Sequence, residues 1–162
     1  MKWLSSIISI IFILTCSCNL DHSADQKLFL QLISQKQSGT QWENDSFLRA
    51  DLNDDGKLDY AIYGINNNQK VIIAVVLSPI NDRSKVHTLE LGIGNCQNCV
   101  SRLPIDMTKE SMDYDPKAAI DGDLPGFKQS KTAHELEIND KETDPIHVFW
   151  NYQTKTLDWW RL

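Results

Sequence analysis

The segment Asp51-Leu52-Asn53-Asp54-Asp55-Gly56-Lys57-Leu58-Asp59 crowds four carboxylates and an amide into one short stretch. Oxygen side chains at its first, third, fifth and ninth positions (Asp51, Asn53, Asp55 and Asp59) can converge on one hard cation. Gly56, at the sixth, lets the backbone turn sharply enough for the Lys57 carbonyl to join them. Calcium, which takes roughly six to eight oxygens at about 2.3 to 2.6 Å, suits that set; magnesium wants a tighter octahedron and keeps its waters. The alternative is an Asp-rich turn without metal, since Asp, Asn and Gly form turns anyway. Against it stands the like-charge crowding, relieved only by Lys57, which is costly without a cation.

Cys96-Gln97-Asn98-Cys99 is the second pattern with chemistry in its spacing. A redox-active CxxC wants its first cysteine at a helix N-terminus after a strand, where the dipole lowers the thiol pKa. Gly92-Ile93-Gly94 precedes this pair and Pro104 follows it, so a local structural disulfide is the expectation and thiol oxidoreductase chemistry the alternative. His134-Glu135 opens like the zinc-protease HExxH, yet Ile138 stands where the second histidine belongs. His22, His87 and His147 lie apart with no GxSxG elbow or phosphate-binding glycine loop, so a hydrolase using His134 or His147 would have to assemble in three dimensions. The chain ends on Trp159-Trp160-Arg161. Adjacent tryptophans on a strand point to opposite faces, which leaves both core packing and contact with a protein or glycan partner open.

The elements that must position these groups are legible in outline. Leu28, Phe29, Leu32 and Ile33 fall at helical spacing, predicting an amphipathic helix from about residue 26, capped by Ser23 or Asp25 and ending near Ser38-Gly39. Phe47 to Leu52, Asp59 to Ile65 and Val71 to Leu77 read as consecutive antiparallel strands, the first two joined by the acidic turn. Val71 to Leu77 is apolar on both faces and should be a central strand, covered by the helix on one side and by a second layer or a long loop on the other. Val86 to Leu91 alternates as a fourth strand, and residues 92 to 131, broken by Gly and Pro, are expected to be loops with one helical turn. His134 to Ile138, Ile146 to Tyr152 and Leu157 to Leu162 form a Trp-rich C-terminal meander. The expected fold class is α+β, with the N-terminal helix packed on an antiparallel sheet.

The 162 residues, 41% of them apolar, supply one core, and a net charge of −6 excludes the broad basic surface that nucleic acid requires. Met1-Lys2 followed by the apolar run from Trp3 to Leu14, too short to span a bilayer as a helix, reads as a secretory signal. Leu14-Thr15-Cys16-Ser17-Cys18 after it resembles the lipobox of bacterial lipoproteins, where cleavage precedes a cysteine that becomes lipidated. Cys16 has Ile13 at minus three but Thr15 at minus one; Cys18 has Ser17 at minus one but Thr15 at minus three, and both remain candidates. Cleavage before Cys18 leaves Cys96 and Cys99 as an even pair. By that resemblance, residues 1–17 are a signal peptide, 18–25 a lipidated tether and 26–162 one domain. Asn19 or Ser17 after the cysteine, rather than Asp, implies the outer membrane, facing the periplasm.

The acidic loop, with Phe47-Leu48-Arg49-Ala50 before it and Tyr60-Ala61-Ile62-Tyr63-Gly64 after, resembles the DxNxDGxxD hairpins of FG-GAP and VCBS-like repeat proteins. That resemblance, over about 20 residues, implies a calcium-binding hairpin. A propeller would need several copies, and Ile62 at position 12, with strands as flanks, sets the loop apart from an EF-hand. The reading is a lipid-anchored envelope protein with a structural calcium site, acting as a non-enzymatic binding module of inhibitor- or immunity-like type; the alternative is an envelope enzyme.

Overall fold

In the computed structural model, which describes residues 21–115 and 123–162, the helix α1 runs Asp21–Lys36. The lipobox cysteines Cys16 and Cys18 and the signal segment lie outside the described residues. The helix begins ahead of the expected start, so Asp25 is no cap; it lies within the helix and its carboxylate accepts the Tyr60 hydroxyl at 2.9 Å. Phe29, Leu32 and Ile33 form the buried stripe that the spacing predicted.

Ten strands follow: β1 Gln41–Trp42, β2 Leu48–Ala50, β3 Asp59–Ile65, β4 Val71–Val76, β5 Val86–Ile93, β6 Cys99–Val100, β7 Asp106–Ser111, β8 His134–Asn139, β9 Ile146–Asn151 and β10 Thr156–Trp160. The first six make one sheet in the order β1-β3-β4-β5-β6, with β2 also pairing along β3; the last four make a second, β10-β9-β8-β7. All pairings are antiparallel except the short β5–β6 contact, Gly92 with Cys99 and Ile93 with Val100.

The α+β expectation is therefore overturned: the described fold is mostly β, two facing sheets with one helix on the outside. The error arose in residues 92 to 131. Ile105 and Met107 turn inward, while β7 pairs with β8 from Asp106↔Asn139 to Ser111↔His134 and extends the expected three-stranded meander to four strands. Charged and polar residues along the exposed side of β7 hid its alternation.

Strand β4 shows why the layers stack as they do. Val71, Ile73 and Val75 face the second sheet, meeting Leu136, Ile138, Ile146 and Val148, whereas Ala74 and Val76 face Phe29, Leu32 and Ile33 of α1. A two-sided apolar strand must be covered twice, and each Val or Ile removed from water contributes about 1.5–3 kcal/mol. The outer face of the second sheet is covered in turn by the β7–β8 connection: Met112, Tyr114, Leu124 and Phe127 pack on Phe149 and Trp160.

Candidate functional site

The acidic loop joins β2 to β3, as its flanking strands required. Asp51, buried at 6% exposure, accepts the backbone N–H of Asp55 (3.2 Å) and Gly56 (2.8 Å) on its two oxygens. Asn53 accepts the Asp55 N–H at 3.1 Å, and Asp55 accepts that of Lys57 at 2.9 Å. The chain thus curls around Asp51, with Gly56 in the left-handed region at φ 81°. The Lys57 ammonium lies 3.5 Å from Asp55 on the exposed rim.

Asp59 is fully buried, and its oxygens accept the N–H of Leu52 (3.0 Å) and Ser78 (2.8 Å), tying the start of β3 to the ends of β2 and β4. Burial pushes its carboxyl up to about 6; the two backbone donors pull it down, while the Asp55 and Asp51 charges add to the rise.

Asp54, not among the expected ligands, has a different task. Lys128, Ser130 (2.7 Å) and Thr132 (2.8 Å), all from the segment leading into β8, donate to its carboxylate and lower its pKa to about 2. The His134 N–H also donates to the Asp51 carbonyl at 2.7 Å. The tip of a hairpin from one sheet is thereby clasped by the other sheet's approach loop. Nearby, burial and the charges of Asp54, Asp51, Asp59 and Asp55 push the Tyr152 hydroxyl up to about 12.

In donor chemistry, Asp51, Asn53, Asp55, Asp59 and the Lys57 carbonyl fit a hard, oxygen-seeking cation, and each carboxylate keeps lone pairs beyond those given to N–H groups. Among the described residues, no three acidic, histidine or cysteine side chains lie at shared metal-ligand separation. The loop is held by its own amides.

Cys96 and Cys99 are bonded as a disulfide, with Cα atoms 5.0 Å apart, which ties the turn after β5 to the first residue of β6. Cys99 is buried and Cys96 exposed. A Cβ on Gly92 would collide with Cys99 Sγ, so the crossing is built around a glycine. Of the terminal triplet, Trp160 is buried at 7% exposure, and the Arg161 guanidinium donates to the Cys99 carbonyl (2.9 Å) and Thr143 hydroxyl (3.1 Å). Trp159 is half-buried against the core between the sheets. His87 meets the Trp150 ring edge-on at 4.8 Å, and burial followed by Lys85 lowers its pKa.

Sequence reasoning missed a polar cluster on the outer face of the second sheet. Glu135, 1% exposed, accepts the Tyr114 hydroxyl (2.7 Å) and the Trp160 indole N–H (3.4 Å) on Oε2, and pairs with His147 Nδ1 (2.7 Å) on Oε1. His147 stacks on Trp160 with ring centroids 4.0 Å apart. Burial, then Glu135, drives the Tyr114 hydroxyl far above the ordinary tyrosine range. Alternation along β9 puts His147 and Phe149 on one face, but the register that sets Trp160 opposite His147 and brings Glu135 near is not written in any local pattern. Compared with known protein families, curated proteins and solved structures, the chain matches none.

Proposed function

We propose that this protein is a lipid-anchored binding module of the bacterial cell envelope in which one Ca²⁺ stabilises the Asp51–Asp59 hairpin. The observation that carries the calcium reading is the curl of residues 51–57 around the buried Asp51 carboxylate, with the Asp55 and Asp51 charges pushing up the neighbouring Asp59 carboxyl in the same turn. A cation there would relieve repulsion that Lys57, on the rim, relieves only in part. The signal and lipobox pattern of residues 1–18 supports an outer-membrane anchor facing the periplasm. The half-buried Trp159 supports contact with an envelope protein or glycan, as an inhibitor of an envelope hydrolase would need.

The test is thermal unfolding against calcium. A site on the native state alone adds RT ln(1 + [L]/Kd), about 2.7 kcal/mol at a hundredfold excess over Kd, so Tm should climb with calcium and much less with magnesium. Asp55→Ala should remove most of the rise. A full rise in that variant, or no heat of binding at millimolar calcium, would refute the ion. Acyl labelling of Cys16→Ser, Cys18→Ser and the double variant tests the anchor; label surviving the double change refutes it.

A further inference from the structure

The Glu135–His147 pair is built like the orienting half of an acid–base catalyst, on a different face from the acidic hairpin. Trp160 Nε1–H can only donate, and the Tyr114 hydroxyl donates to the same oxygen of Glu135. Oε2 of Glu135 is therefore an acceptor, and with Glu135 ionised the 2.7 Å contact is a donation from His147 Nδ1–H to Oε1. In that tautomer Nε2 keeps the lone pair; it has no hydrogen-bond partner among the described residues, and the side chain keeps 16% exposure. The ring is fixed on both sides, by the carboxylate at Nδ1 and by the stacked Trp160.

We propose that His147 is the general base of a water-dependent carboxylic-ester hydrolysis, with Glu135 as its positioning residue. Nε2 takes a proton from water as the water oxygen bonds to the ester carbonyl carbon. The tetrahedral adduct then collapses, its bond to the alkoxy oxygen breaks, and the imidazolium returns the proton to the leaving alkoxide. Ester and water give acid and alcohol, and Glu135 holds the imidazolium in between. The surrounding charges select the substrate. Glu137 is the cross-strand partner of His147, Glu110 that of Glu135, and Asp158 lies on the same face of β10, while the Tyr114 hydroxyl reaches Glu135 from the covering segment. An acidic rim repels phosphate esters and admits neutral or cationic ones.

The full chain, in chelator so that the calcium reading is not at issue, is assayed with 4-nitrophenyl acetate, acetylcholine and 4-nitrophenyl phosphate. The wild type should cleave the two carboxylic esters faster than the same concentration of free imidazole, with a rate that rises with pH to a plateau. His147→Gln should fall to the imidazole level, a loss of about a hundredfold or more. Glu135→Gln should lower the rate and displace the pH profile, which a merely structural carboxylate would not do. Because either variant could misfold, His147 in the wild type is also carbethoxylated with diethyl pyrocarbonate, mapped by peptide mass and released with hydroxylamine. Activity should vanish and return. Wild-type cleavage no faster than imidazole, or cleavage that survives carbethoxylation of His147, overturns the proposal. Equal turnover of the phosphate ester overturns the substrate class.

Discussion

Asp59 gives the sharpest quantitative test of the fold around the acidic hairpin. Its carboxyl is fully buried and titrates at about 6 instead of 3.8, because desolvation outweighs the two backbone donors from Leu52 and Ser78. A folded-state pKa above the unfolded value means that the native state holds the proton more tightly between these two pH values. Stability must then fall as pH rises from about 4 to about 6. At about 1.4 kcal/mol per unit, the loss from this one group is roughly 3 kcal/mol. The Asp59→Asn side chain cannot titrate, so this particular fall should be absent from its stability curve across that window. The amide NH₂ also faces one of the two backbone donors, an unsatisfied pair costing about 1–3 kcal/mol at every pH. Urea unfolding in chelator, followed by tryptophan fluorescence, should show the variant weaker at pH 4 and close to wild type at pH 7. Parallel curves for the two proteins from pH 4 to pH 7 would refute the buried-charge account.

Asp54→Ala should cost roughly 1 kcal/mol near neutrality, discounted because Lys128 is largely exposed, and should remove an acid-side loss in which wild-type stability falls as pH drops through about 2; urea midpoints at pH 2, 4 and 7 check both. Gly126→Ala should destabilise by about 1–3 kcal/mol, since φ is 79° and a Cβ would strike the Asn151 carboxamide, and the check is its Tm against that of Ala133→Gly. The Cys96–Cys99 disulfide closes so short a loop that replacing both cysteines with serine should cost only about 2 kcal/mol in the chain-entropy account, measured by urea unfolding; a loss above about 5 kcal/mol would mean that the bond sets more than its own turn.

What the sequence disclosed and what it hid divide along physical lines. The helix stripe at Phe29, Leu32 and Ile33 and the strands Asp59–Ile65 and Val71–Val76 were legible because their periodicity is enforced by burial. Strand Asp106–Ser111 was not, since Met107 is its one buried side chain and pairing with β8 supplies what local pattern lacks. The acidic turn announced its conformation through Asp51 and Gly56. Nothing local announced that Asp54 is held by Lys128, Ser130 and Thr132, or that Glu135 and His147 meet, because those encounters depend on registers between distant segments.

The clasp on Asp54 bears on the order in which the chain assembles. Its partners lie 74, 76 and 78 residues away, so the contact closes a loop about half the length of the chain. Such a closure lowers chain entropy before it gains anything, and it becomes favourable only once the strands on both sides are already paired. Hairpin β2–β3 can zip locally, and β8–β9–β10 can do the same, each through near neighbours. The clasp then joins two preformed halves. Energy stored in a late contact slows unfolding without hastening folding, so Asp54, Ser130 and Thr132 act chiefly on how long the native state persists once formed. Where proteases are present, that lifetime is the quantity that counts whenever cleavage outpaces reclosing.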